Sequence, residues 1–147
     1  MYIVTLIGPV MGTYRAPEEI MAGELDEKID IFSLGNILYS ILTGLWIYYD
    51  YGDDTTDVHD VQSLITHGNL TYIDSRYDFR SFGEAFLVRL MNICWFYYAD
   101  QRPSIFEVIE LLEIANEINE DLTRSSIDTV YDEWIEILDE TIYFIRE

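Results

Sequence analysis

Positive charge is what this chain has least of. Eight basic residues stand against 28 acidic ones among 147, for a net charge of −20, and Lys28 is the only lysine. A surface of that sign repels phosphate backbones, which argues against nucleic acid as a partner, and it repels anionic membrane surfaces as well. A basic protein partner, or basic segments outside these residues, fits the charge better, and solubility is its plain consequence. Cysteine is almost absent too. Cys94 has no second thiol to pair with, and its neighbours Leu90, Met91, Ile93 and Trp95 are apolar. The expectation is a buried, inert thiol and a reducing, intracellular, cytoplasmic setting. Asn69-Leu70-Thr71 has the pattern of a glycosylation sequon, which carries no meaning in such a setting. The N-terminus lacks a basic leader and a small-residue cleavage site, so no signal peptide is expected.

Charge of either sign is missing from Ile31 to Tyr49, a run that approaches the ~20 residues needed to cross a bilayer. Ser33, Asn36, Ser40, Thr43 and two glycines interrupt it, and its flanks Asp30 and Asp50 are acidic. A helix that is apolar all round also suits the centre of a globular core, so a buried soluble helix is expected and no membrane span.

What is present is material for a core. Half of the residues are apolar and 15% are aromatic, which suits one folded domain with a tail. Residues 1–24 read as loop or extended chain, broken by Gly8-Pro9, Gly12 and Ala16-Pro17, with a possible short helix over Glu18–Ala22. A long helix is expected from about Asp26 to Thr43, with Asp26, Glu27 and Asp30 favouring its N-terminal dipole and Gly44 at its C′ position. An aromatic, acidic loop follows over 45–56. Thr56 or Asp57 can cap a helix to about His67, closed by Gly68, and 68–80 reads as loop.

Three helix starts carry the capping-box spacing, a serine followed three residues later by an acid. Ser81 with Glu84 opens a helix to about Phe96, Ser104 with Glu107 one to about Ile118, and Ser125 with Asp128 one to about Ile145. The last shows Ile127, Val130, Tyr131, Trp134, Leu138, Ile142 and Ile145 as an amphipathic stripe. The expected fold class is mainly α, with a loop-rich start and an extra C-terminal amphipathic helix.

Glu18 and Arg102 each sit beside a proline on a loop flanked by apolar elements. Alone, they are either two independent surface charges or a two-point fork tying distant loops together. Three stretches in fixed order carry more. Gly12-Thr13-Tyr14-Arg15-Ala16-Pro17-Glu18, Asp30-Ile31-Phe32-Ser33-Leu34-Gly35 and Asp100-Gln101-Arg102-Pro103-Ser104 together resemble the large (C-terminal) lobe of a eukaryotic protein kinase domain. The resemblance covers about 12–118. It divides the chain into a partial kinase domain over 1–118 and a helical tail over 119–147.

The resemblance implies roles residue by residue. Ala16, Pro17 and Glu18 correspond to the Ala-Pro-Glu motif that ends the activation segment. Glu18 is implied to pair with Arg102, anchoring that segment to the helical lobe. Asp30 to Gly35 opens the central hydrophobic helix, with Phe32 in place of the more usual Trp. Asp30 is implied to support the backbone of the catalytic loop; on chemistry alone it favours a helix N-terminus. Gly12 and Thr13 correspond to the Gly-Thr of the substrate-binding loop, although many kinases have two further residues before the Ala.

The family's activity is transfer of the ATP γ-phosphate to a protein hydroxyl, with ATP and Mg²⁺ held by the complete domain. Phosphoryl transfer needs phosphate positioning, metal and a base. No Gly-rich loop, no strand lysine, no His-Arg-Asp and no Asp-Phe-Gly occur here, and Asp78-Phe79-Arg80 lies on the wrong side of Ala-Pro-Glu and reads as loop. No catalytic, cofactor-binding or metal-binding residue is assigned. The acidic run Asp50, Asp53, Asp54, Asp57, His59, Asp60 lacks the order of a calcium loop and reads as a solvated approach to a helix. Three functional expectations follow. One is a truncated kinase fragment, inactive alone, whose partner is a protein substrate. Another is a non-catalytic, pseudokinase-like interaction module docking proteins through Trp46-Ile47-Tyr48-Tyr49 and the C-terminal helix, where Tyr131 and Trp134 are anchors unless the tail packs back on the lobe. A membrane-anchored acidic protein is the weakest.

Overall fold

A computed structural model of the chain describes residues 12–49 and 58–124, together with 136–137, 139–140 and 142–143. Among these residues the fold is mainly helical and contains no strand. Helix α1 is Pro17–Ile20, α2 Lys28–Thr43, α3 Val58–Thr66, α4 Tyr77–Arg80, α5 Phe82–Cys94 and α6 Ile105–Arg124, with a 3₁₀ turn at Ala99–Gln101 before α6.

The expected long helix starts two residues late. Asp26 turns its carboxylate onto the Lys28 N–H at 2.9 Å, which places it before the helix. Gly44 ends α2 at φ 71°, its N–H donating to the Ser40 carbonyl at 3.0 Å. Sixteen residues span about 24 Å, short of the ~30 Å hydrocarbon thickness. Among the described residues no helix is long and apolar enough to cross a membrane.

Helix α3 ends in a Schellman turn: Gly68 (φ 74°) donates to Ile65 and Asn69 to Leu64. Its start, with Thr56 and Asp57, lies outside the described residues. The expected loop at 68–80 is corrected by α4. Asp74 nucleates it, accepting the Arg76 N–H on its carboxylate at 2.9 Å and the Tyr77 N–H on its carbonyl at 3.1 Å. Asp78-Phe79-Arg80 is therefore helical.

Of the two capping boxes within reach, Ser81 forms its N-cap bond and Ser104 the full box. The Glu84 N–H donates to Ser81 Oγ at 3.2 Å. Ser104 and Glu107 reciprocate: the Glu107 N–H reaches Ser104 Oγ at 3.3 Å and the Ser104 N–H reaches Glu107 Oε2 at 2.6 Å. Helix α6 does not stop at Ile118 but continues to Arg124. No helix breaker intervenes, and Leu122 extends the core-facing row of Leu111, Ala115 and Ile118 by another turn. Residues 136–137, 139–140 and 142–143 are helical. The third box at Ser125, and Tyr131 and Trp134, lie outside the described residues.

Helices α2 and α5 cross at the centre of the molecule. One core cluster gathers Ile31, Phe86, Leu90, Val108 and Leu111 where α5 meets α6. The other gathers Phe32, Tyr39, Val61, Ile65, Met91 and Trp95 between α2, α3 and α5. Together they bury α2 on two sides, as its uncharged sequence demands. Cys94 lies fully buried in the first of these clusters.

Candidate functional site

The crossing of α2 and α5 sets the geometry of everything near it. Gly35 faces Trp95 there. A Cβ on residue 35 would lie 2.7 Å from Trp95 Nε1 and 3.1 Å from Cys94 Cβ, so only glycine lets the helices approach this closely. The next residue, buried Asn36, holds the crossing together. Its Oδ1 accepts the Trp95 Nε1–H at 2.7 Å, and its Nδ2 donates to the Tyr14 carbonyl at 3.1 Å. Ser33 Oγ donates to the same carbonyl at 2.9 Å, and the Tyr14 hydroxyl is 2.7 Å from Ser40 Oγ. Thus α2 grips the segment before α1 along three turns. Thr13 is buried beside it, and Gly12 takes a φ of 94° that favours glycine.

That grip delivers Ala16, Pro17 and Glu18 to the start of α1. Ala16 and Pro17 are buried. Glu19 reaches back to the Ala16 N–H at 2.9 Å, half of a capping box for a helix whose N-cap has no polar side chain. Glu18 then meets Arg102. The guanidinium donates from Nη1 to Glu18 Oε1 at 2.5 Å and from Nη2 to Oε2 at 2.9 Å, a bidentate fork. Its remaining donors go to backbone carbonyls: Nε to Phe96 at 2.7 Å, Nη1 to Lys28 at 3.0 Å, Nη2 to Tyr97 at 3.0 Å. All five guanidinium N–H groups are thereby engaged, at a side chain that is 0% exposed. Lys28 Nζ returns a bond to the Arg102 carbonyl at 2.8 Å, and the Phe32 ring lies 5.0 Å from Arg102 Cζ, within cation–π range. Arg102 therefore joins four segments: α1, the start of α2, the loop after α5 and the approach to α6.

Asp30 does not join this junction. It is exposed on the first turn of α2, and among the described residues its carboxylate has no hydrogen-bond partner. The aromatic loop after α2 divides. Ile47 and Tyr48 are core, while Trp46 and Tyr49 face solvent. Tyr48 sits at φ 59°, uncommon for a bulky side chain, and is tied at both ends: its N–H donates to Thr71 Oγ1 at 3.1 Å and its hydroxyl to the Asn69 carbonyl at 2.8 Å. Half of the expected docking loop is thus structural, and the sequon's Thr71 is buried in holding it.

Chemically this arrangement binds segments together rather than reacting. Among the described residues no three carboxylate, imidazole or thiol groups are gathered as a metal site. Burial pushes the Cys94 thiol up to about 12, so it stays protonated and unreactive.

The family model described as protein kinase domain matches residues 9–112, well over half of the chain. The chain belongs to the protein kinase family. It is 34% identical to the serine/threonine-protein kinase STY46 of Arabidopsis thaliana over 113 residues, covering 75% of this chain and 18% of that protein. It is 30% identical to the probable protein kinase At2g41970 of the same plant, covering 71% of this chain and 30% of that protein. A shorter stretch of 42 residues is 48% identical to the serine/threonine-protein kinase PknD of Chlamydia muridarum. The chain thus spans less than a third of either Arabidopsis relative. Within this kinase-family chain, sequence reasoning singled out Glu18, Gly35 and Arg102 but missed Asn36, Trp95 and the Lys28 carbonyl. A lone asparagine inside an uncharged apolar helix was the available signal for the first.

Proposed function

We propose that these residues form the helical large lobe of a protein kinase domain, from the end of the activation segment onward. The domain they belong to transfers the ATP γ-phosphate to a protein hydroxyl. Their own part is to hold the end of that segment against the lobe, and Ala16, Pro17, Glu18, Asp30, Gly35 and Arg102 are scaffold residues for it. The observation that carries this reading is the fully engaged Arg102, which locks Glu18 to three other segments. Two further observations support it. Asp30 turns an unpartnered carboxylate outward, among the described residues, where a catalytic loop would use it. The same helix leaves Ile37 48% and Ile41 69% exposed, an apolar face that suits burial against the rest of a domain.

The residues present do not fit Mg-ATP. No glycine-rich loop is available to cradle phosphates, and among the described residues no carboxylates are gathered for a metal. No step through ATP is therefore assigned to this chain, and the 147 residues alone are read as inactive. Gly12 and Thr13 remain the substrate-loop residues of this reading, and its protein partner is the hydroxyl-bearing substrate. The single buried thiol supports an intracellular, cytoplasmic reading. A thermal-shift titration with Mg-ATP tests it: no saturable stabilisation is expected, and a clear saturable rise in Tm overturns the inactive reading. Sequencing the message upstream of Met1 tests the lobe assignment. In-frame His-Arg-Asp and Asp-Phe-Gly triplets are expected, and an in-frame stop directly before Met1 favours a pseudokinase-like module instead.

A further inference from the structure

Arg89 stands on α5 among residues that are otherwise core. Positions 82, 85, 86 and 93 share its helix face, and Phe82, Ala85, Phe86 and Ile93 are all buried members of the α5–α6 cluster. Arg89 is thus a cation at the rim of an apolar surface. Its Nη1 donates to Asp78 Oδ1 of α4 and to the Ala85 carbonyl, each at 3.1 Å. Its Nε points the other way and donates to Asp139 Oδ1 at 2.9 Å, across 50 residues of chain. Three residues beyond Asp139, Ile142 is half-buried against the same cluster. Positions i and i+3 of a helix lie on one face, so Asp139 and Ile142 contact the body together.

Charge makes this placement informative. Residues 125–147 carry seven acidic residues and one basic residue, and the chain as a whole has a net charge of −20. An acidic helix does not settle on an acidic body without a local cation to receive it. With the tail in place Arg89 is 18% exposed, and Asp78 and the Ala85 carbonyl hold its Nη1 while its Nε receives Asp139.

We infer that α5 carries a seat for a short acidic amphipathic helix, made of Arg89 and the apolar shoulder beside it, and that Asp139 and Ile142 of this same chain fill it. The recognition pattern is a carboxylate followed three residues later by an aliphatic side chain. The tail is therefore a strap closed on its own lobe rather than an arm extended to a partner. Any external helix using this face must offer the same pattern and displace the strap.

Hydrogen–deuterium exchange of the full chain, read by mass spectrometry over 136–143, tests the seat. Protection of this segment is expected in the unaltered protein. Asp139→Asn should speed its exchange about fivefold, the upper range for an exposed ion pair, and leave α2 unchanged. Ile142→Ser should speed it more than tenfold. Raising NaCl to 0.5 M should reproduce the Asp139→Asn effect in the unaltered chain and add little to the variant. Free exchange over 136–143 in the unaltered chain, or exchange indifferent to both substitutions, overturns the proposal. So does protection that disappears on hundredfold dilution, because the seat is then filled by the tail of a second copy.

Discussion

Arg102 and Glu18 stand 84 positions apart in the chain and meet through two parallel N–H···O bonds of 2.5 and 2.9 Å. The arginine is wholly enclosed and the carboxylate 14% exposed. Water therefore cannot replace either partner when the other is removed. Arg102→Ala leaves the Glu18 carboxylate and three carbonyls without donors, and a loss of about 3–5 kcal/mol in urea unfolding is expected. Arg102→Lys should rescue little of it, since an ammonium has three donors for five acceptors. Glu18→Gln combined with Arg102→Ala should cost clearly less than the sum of the single changes. Additive losses would mean that the fork contributes nothing as a unit.

At the helix crossing the limiting quantity is space. Gly35→Ala places a methyl 2.7 Å from Trp95 Nε1, and either the indole or α2 must move. Overpacking of this kind costs about 1–3 kcal/mol. Movement of Trp95 also stretches its bond to Asn36, so a change in tryptophan emission should accompany the loss. Trp95→Phe tests the polar half separately: it removes the donor from a fully buried amide oxygen, for an expected cost of about 1–3 kcal/mol on top of lost packing.

Cys94 should be silent to thiol reagents while the fold persists. At pH 8 a water-soluble aromatic disulfide is expected to label the urea-unfolded chain fully and the native chain only at its unfolding rate. Burial raises the native thiol from 9.0 to about 12, so between these values the unfolded state gives up its proton first. Its contribution to stability is intact below about 9 and is lost as pH rises toward about 12. Rapid labelling of the native chain at pH 8 would contradict this burial.

Asp74 behaves in the opposite sense. Hydrogen bonds from the Arg76 side chain and backbone N–H lower its carboxyl from 3.8 to about 2, although the group is only half-buried. A depressed carboxyl contributes above its unfolded value and loses that contribution as pH falls through about 2. A carboxyl-carbon NMR titration should place Asp74 near that value, and Arg76→Ala should move it back toward 3.8. Helix α4 should fray in the same variant, because the Arg76 side chain holds the carboxylate that turns the chain into it.

The legible parts of the fold were the local ones. Ser81 with Glu84, Ser104 with Glu107, Gly44 and Gly68 act within one helical turn, so their spacing was enough to find them. Helix α4 was not legible because 74–80 is polar, short and without apolar period; one Asx turn starts it and one ion pair to Arg89 fastens it. Asn36 was read only as an argument against a membrane span. Its partners Trp95 and Tyr14 are 59 and 22 positions away, and no local rule reaches that far.

Sequence by itself determined the family, the helical class and the residue types at the Glu18–Arg102 junction, because ordered motifs and capping spacings survive as text. Tertiary structure alone decided what those residues do. It spent all five donors of Arg102 on four segments, closed α2 onto α5 at Gly35, sank Tyr48 into the core beside an exposed Trp46, and laid Asp139 against Arg89. Each of these depends on groups brought together across tens of residues. Their energies come from shared burial, which exists only after the chain has folded.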